Sequence, residues 1–203
     1  MNTEKDVSLI DIDNAFVRRL MIPYRTHATY LKKATFVITT QGDRRTFSIK
    51  GDFRIPISCY IDDTGHFNAV EYNICLNQIG YVFLAHCVKE KLLPEIGDYD
   101  LETFIKNQLS NVLIYRLSSK FPRMINAKKF YGELKLNSLK KVGNYTMFNY
   151  ECGFWDDGDG YSNGSVIAVM PSVGMGGDMD RSELSEDEFS SVIEEYVSTV
   201  CNY

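Results

Sequence analysis

The apolar stretch from Phe67 to Val88 constrains the fold more than any other feature of the sequence. Its large apolar residues lie on more than one face of a helix: Phe67, Val70, Ile74, Leu76, Ile79, Val82, Phe83, Leu84 and Val88. Such a helix is stable in water only when other elements cover it nearly all round. Asn68 and Glu71 match a capping box at its start, and Pro94 follows its end. We therefore predict a buried helix over roughly residues 68–91.

Extended segments flank this helix on both sides. Residues 30–40 and 44–55 are rich in β-branched and aromatic residues, and the turn Gln41-Gly42-Asp43 joins them, which predicts a hairpin. After the long helix, Asp100 could cap a short helix over 101–108. Four further strands are expected near residues 111–121, 129–142, 145–155 and 164–170.

Alternation within residues 129–142 shows how the sheet is expected to pack. Phe130, Leu134 and Leu136 share one face, whereas polar or amphipathic side chains occupy the other. This pattern is typical of antiparallel strands with one buried face. One sheet of five or six strands wrapped around one central helix is the simplest arrangement, which is an α+β hot-dog fold.

The two ends of the chain predict smaller units. Residues 1–22 read as a frayed start followed by a short helix that Asp13 or Asn14 could cap, and 23–170 would be the hot-dog domain. Residues 171–180 form a Gly-rich linker. Residues 181–203 predict an amphipathic helix whose apolar side chains include Phe189, Ile193 and Tyr196.

Charge and cysteine usage exclude several classes of protein. The formal net charge of −5 argues against a nucleic-acid partner, which needs a clustered basic surface. The five cysteines contain no CxxC pair and form no zinc-like cluster with the three histidines, so reduced thiols and no metal are expected: Cys59, Cys75, Cys87, Cys152 and Cys201. No signal peptide or membrane span is evident, which predicts a cytoplasmic protein.

The start of the long helix lies inside a motif that resembles a known family. The run from Tyr60 to Glu71 reads YIDDTGHFNAVE, and CLNQ follows at 75–78. Shorter similar stretches are QLS at 108–110, SSKF at 118–121 and FWD at 154–156. Together they are similar to the FcoT-type acyl-CoA thioesterases, and the similarity extends from about Pro23 to Met170.

The resemblance implies a hot-dog enzyme that hydrolyses long-chain fatty acyl thioesters of CoA or acyl-carrier protein, with no cofactor. Related enzymes of isonitrile lipopeptide biosynthesis add glycine to the β-carbon of an enoyl group on an acyl carrier protein. Both reactions fit the motif, and a non-catalytic acyl-chain binder is a third alternative. Because one hot-dog sheet leaves open edges, we also expect a homo-oligomer, a dimer or higher, with the site near the subunit boundary.

By motif match, the resemblance assigns functional roles to Tyr24, Tyr60, Asn68 and Asn77. Asn68 could donate to the thioester oxygen beside the backbone N–H groups of the helix start, or it could serve only as an N-cap. The two tyrosines could hydrogen-bond the substrate carbonyl, the glycine or an attacking water. Asn77 lies on the opposite helical face from Asn68, so it could serve the partner's site or satisfy buried backbone groups.

Five neighbouring residues carry weaker expectations. Glu71 could act as a general base, or it could only complete the capping box. Gly65, His66 and Phe67 precede Asn68 in the motif and are expected to contact substrate, and His66 has both an acid–base and a structural interpretation. Cys75 is expected to be a packed thiol rather than a nucleophile.

Overall fold

A single antiparallel sheet wraps around the long helix in the computed structural model, which describes residues 5–62 and 65–172. The strands are β1 (Lys5–Asp11), β2 (Leu31–Gln41), β3 (Arg44–Phe53), β4 (Leu113–Arg123), β5 (Phe130–Val142), β6 (Tyr145–Trp155) and β7 (Tyr161–Pro171). The helices are α1 (Asn14–Leu20), α2 (Ala69–Lys89) and α3 (Leu101–Asn111). Short 3-10 turns lie at Thr26–Ala28 and Pro94–Ile96.

The strand order across the sheet is β1-β2-β3-β5-β6-β7-β4, and every neighbouring pair is antiparallel. The hairpin β2–β3 and the four strands after α2 confirm the sequence predictions. In β5, Phe130, Leu134 and Leu136 are buried while Lys135 is exposed, as the alternation indicated. The order leaves β1 at one edge of the sheet and β4 at the other.

Strand β1 corrects the prediction that residues 1–13 are a frayed start, and it brings the sheet to seven strands rather than five or six. All seven residues of β1 pair with β2, from Lys5 opposite Gln41 to Asp11 opposite Thr35. Only Ile10 of this strand packs against the core. The strand is therefore held largely by backbone pairing, which leaves little hydrophobic periodicity to read in the sequence.

Helix α2 lies against the concave face of the sheet and forms the centre of the core. Ile79, Val82 and Phe83 have no exposed surface, which confirms the prediction of a buried helix, and Ile74 is partly buried. Asp100 and Asp13 cap α3 and α1 as expected, accepting from Thr103 N and Ala15 N. The fold is thus an α+β hot-dog, built on a helix that its sheet covers on most sides.

One stripe of α2 stays partly open in the single chain. Val70 is 47% exposed, and Asn73, Ile74, Asn77 and Gly80 are half-buried at helical spacings of three and four residues. Such residues share one helix face. The sheet therefore does not reach this side of the helix.

Edge strand β4 is exposed along nearly its whole length. It pairs on one side with β7, and its apolar side chains are each 36–39% exposed: Leu113, Ile114, Tyr115, Leu117 and Phe121. A long, exposed apolar edge strand is a ready template for pairing with another strand.

The Gly-rich linker beyond residue 172 and the predicted C-terminal helix at 181–203 lie outside the described residues. Among the described helices, none is both long enough and apolar enough to cross a membrane.

Candidate active site

The start of α2 carries a complete capping box. Asn68 Oδ1 accepts from Val70 N at 2.9 Å and from Glu71 N at 3.3 Å, and a Glu71 carboxylate oxygen accepts from Asn68 N at 3.3 Å. The capping interpretation of Asn68 and Glu71 is therefore confirmed. The cap also consumes two helix N–H groups that were expected to face a substrate.

The cap leaves hydrogen-bond donors unused at the same place. It occupies only the oxygen of the Asn68 side chain, so capping and donation by the amide nitrogen do not compete. Within residues 5–62 and 65–172, the Asn68 amide NH₂ and the Ala69 N–H have no protein acceptor. Asn68 is half-buried and Ala69 is exposed, so a ligand can reach both groups.

Below the cap, α2 carries a buried cysteine thiol that stays neutral. Cys75 lies one turn after Glu71 and is fully buried. Burial, and then the nearby Glu71, raise the pKa of the Cys75 thiol well above its usual value. The thiol therefore stays protonated, as expected for a packed cysteine and not for a nucleophile. Glu71 itself is 2% exposed and bound to the backbone of its own cap.

Gln78, two turns after the cap box, anchors the segment before β2. Its Oε1 accepts from Tyr30 N and Leu31 N, each at 2.9 Å, and its Nε2 donates to Ala28 O at 2.7 Å. Sequence reasoning gave Gln78 no role. The available signal was a glutamine among large apolar residues on a helix predicted to be buried, because a buried amide needs several partners.

The anchored segment also positions the loop that carries Tyr60. Tyr30 is fully buried and its phenol oxygen accepts from Cys59 N at 3.1 Å. Tyr60, the next residue, is 43% exposed. One continuous set of hydrogen bonds thus connects Gln78 on the helix, Tyr30 just before β2 and the start of the motif loop.

Asn77 lies further along α2, and Tyr24, which follows α1, packs against that part of the helix. The ring of Tyr24 is 6.4 Å from that of Tyr81, and burial, with smaller contributions from Tyr81 and Cys75, raises the Tyr24 pKa. Tyr24 is therefore a neutral phenol that can donate. Asn77 is one turn before Tyr81, on the partly open stripe. Asn68 and Asn77 are separated by about 13 Å along the helix axis at ~1.5 Å per residue, so they do not share one substrate atom.

The other motif residues differ in their exposure. Gly65 and His66 are exposed, whereas Phe67 is only 3% exposed. The Phe67 ring packs 4.8 Å from Phe130 and 5.1 Å from Phe154, between the helix start and the sheet. Its evident role is to seat the motif loop on the core.

A groove of about 560 Å³ lies on the opposite, outer face of the sheet. Its lining includes four charged side chains, Lys120, Glu133, Lys135 and Glu151, which do not suit an acyl chain.

A seven-stranded sheet curled around one capped helix, with neutral donors at the helix start, defines an enzyme of the hot-dog class. The chain belongs to the FcoT-like thioesterase domain family, whose model matches residues 19–169.

Curated relatives share most of this length. A (2E)-enoyl-[ACP] glycyltransferase from Streptomyces coeruleorubidus is 38% identical over 166 residues, which are 79% of this chain and 98% of the relative. A protein of the same name from Mycobacterium tuberculosis is 29% identical over 162 residues, 77% of this chain and 86% of the relative. A solved thioesterase structure from Shewanella oneidensis is 9% identical with a TM-score of 0.46, covering 78% of this chain and 96% of that one.

Proposed function

We propose that this enzyme adds the amine of glycine to the β-carbon of an α,β-unsaturated fatty acyl thioester carried on an acyl carrier protein. The observation that carries this is the neutral donor set at the start of α2. The Asn68 NH₂ and the Ala69 N–H can bind a developing oxyanion, while the nearest helix carboxylate, Glu71, is bound within the cap. The names of the curated relatives support the same reaction.

Hydrogen-bond donors that do not ionise are sufficient for the addition of glycine. The free amine attacks the β-carbon and forms the C–N bond, and the π electrons of the C=C bond move to the thioester oxygen as an enolate. The enolate then reforms the thioester as a proton is delivered to the α-carbon, and the new ammonium loses one proton. Asn68 and Ala69 stabilise the enolate oxygen, and the C–S bond stays intact.

The other predicted residues take roles along the same substrate. Tyr24 and Tyr60 present phenol groups to the glycine and to the thioester carbonyl, and Asn77 binds the substrate further along the open stripe of α2. Gly65 and His66 line the entrance, and Phe67 holds that loop in place.

Hydrolysis of a saturated acyl-CoA or acyl-carrier thioester is the second candidate, supported by the family to which the chain belongs. Hydrolysis differs from glycine addition because a water molecule must be deprotonated near the carbonyl carbon. Glu71 is the carboxylate at the helix start that could do this, and hydrolysis would require it to leave its bond to Asn68 N.

One incubation separates these reactions. We expect a mass increase equal to glycine when the purified protein is given an α,β-unsaturated acyl-carrier thioester and glycine, with the carrier still attached. The saturated thioester should remain unchanged under the same conditions. Release of free acid from the saturated substrate would favour hydrolysis, and unchanged substrates throughout would favour a non-catalytic acyl-chain binder.

We also propose that a second copy of the chain covers β4 and the open stripe of α2. Strand β4 exposes a row of apolar side chains and the stripe of α2 is partly open in the single chain, and an edge-to-edge pair of sheets would close them together. In such a dimer, Asn77 and Tyr24 lie near the subunit boundary.

A positive charge introduced on edge strand β4 is expected to prevent the dimer from forming. Leu117→Lys on β4 should convert the dimer into a monomer, because it buries an unpaired ammonium at the interface. The matched control is Leu9→Lys on the opposite edge strand, where the side chain is 66% exposed, and it should leave the dimer intact. Light scattering at micromolar concentration measures both, and an unchanged mass for Leu117→Lys would contradict the proposed interface.

A further inference from the structure

Two cations, Lys32 and Arg54, lie together where the pairing of β2 and β3 ends. Leu31 pairs with Phe53, and Lys32 occupies the bulge that follows Leu31. Arg54 N donates to Tyr30 O at 3.0 Å, which holds Arg54 across from the start of β2. The Lys32 side chain turns back along its strand, and its Nζ donates to Thr29 O at 2.6 Å.

This pair has no neutralising partner in the described part of the chain. Other cations make ion pairs there, such as Lys129 with Asp157 at 2.6 Å and Arg123 with Asp159 at 3.1 Å. No described carboxylate lies within ion-pair distance of Lys32 or Arg54.

The pKa of Lys32 is consistent with a cation that has no carboxylate partner. Lys32 is exposed by area, yet surrounding protein desolvates its ammonium group and lowers its pKa, and Arg54 adds a smaller effect in the same direction. Two adjacent positive charges without a counterion raise the free energy of the site, and an anion bound between them lowers it.

The pair borders the candidate active site. It flanks the segment that Gln78 anchors to α2. From that segment, Tyr30 holds the loop that carries Tyr60. An anion bound by the two cations therefore lies beside the segment that positions the motif loop.

We propose that Lys32 and Arg54 bind the carboxylate of the amino-acid nucleophile and so orient its amine toward the thioester; this rests on the proposed function. In glycine the carboxylate and the amine are separated by a single carbon, so the anion subsite must lie next to the reacting carbon. The phosphate of a pantetheine arm carries the same kind of charge but lies far from its thioester. A subsite beside the motif tyrosines fits the carboxylate.

The test compares glycine with glycinamide, which keeps the amine and lacks the carboxylate. Binding of each to wild type, Lys32→Met and Arg54→Gln is measured by calorimetry, together with the apparent KM for glycine and for the enoyl carrier thioester. We expect each variant to bind glycine about 10- to 100-fold more weakly, as for loss of a charged hydrogen bond, with the KM for the thioester unchanged. Glycinamide should bind weakly to all three proteins.

Lys50→Met is the matched control, because it removes one exposed positive charge from β3 without touching this pair. It should bind glycine as wild type does. If the variants instead raise the KM for the carrier thioester alone, the cations hold its phosphate and the inference is overturned. Glycine binding that is absent from wild type, or equal in wild type and variants, also overturns it. A third outcome is that the variants lose glycine binding but wild type forms no glycine adduct. That outcome would support the carboxylate subsite and reject the proposed function.

Discussion

Replacing Asn68 with aspartate is expected to lower the rate of glycine addition by about 10²–10³-fold, equivalent to about 2.7–4 kcal/mol of transition-state stabilisation. Aspartate keeps the oxygen that accepts from Val70 N and Glu71 N, so the helix cap survives. It loses the amide NH₂ that the cap leaves unused, and its negative charge repels the enolate. The melting temperature should therefore stay near that of wild type while turnover falls.

The measurement is single-turnover formation of the glycine adduct, with thermal unfolding of the same samples. Asn14→Asp is the matched control, since it makes the same charge change at an exposed position in the first turn of α1. It should leave both rate and stability unchanged. If Asn68→Asp keeps the wild-type rate, Asn68 is only a cap and leaves the catalytic set.

Replacing Gln78 with leucine is expected to destabilise the fold by about 3–5 kcal/mol, because leucine is similar in size but cannot hydrogen-bond. The Tyr30 and Leu31 N–H groups and the Ala28 carbonyl lose their partner together, and each unsatisfied buried group costs ~1–3 kcal/mol, offset in part by burial of the new side chain. For a chain of this size we expect the melting temperature to fall by roughly 10 °C.

Gln41→Leu serves as the control for this change, because Gln41 is exposed at the end of β2 and should shift stability by no more than about 0.5 kcal/mol. Differential scanning calorimetry compares the two. Equal melting temperatures for Gln78→Leu and wild type would mean that the segment before β2 is held by packing alone.

Much of this fold could be predicted from pattern. The strands β5 and β6 alternate because each buries one face, and the helix α2 is recognisable as a long run of large apolar residues that is buried on most sides. The capping box at Asn68 and Glu71 is equally local, since its partners lie within one turn. Strand β1 could not be read in the same way, because its exposed Val7 and Leu9 and its backbone pairing leave no buried face to detect.

The candidate site also has features that the sequence predicted and features that only the structure revealed. Motif resemblance located Asn68, Tyr60, Tyr24 and Asn77, but it did not show that the Asn68 oxygen caps the helix while its nitrogen stays available. That distinction depends on the side-chain rotamer, which the sequence does not encode locally.

By itself the sequence determined the central helix, its cap, the hairpin and the four later strands, because hydrophobic period and capping chemistry act between residues close along the chain. Only the tertiary structure decided that Gln78 anchors residues 28–31, that Tyr30 holds the loop before Tyr60, and that Lys32 and Arg54 flank the end of the β2–β3 pairing. These pairs lie 22 to 50 residues apart. Their contacts exist because packing the helix against the sheet brings distant segments together, and no local pattern records which polar groups then meet.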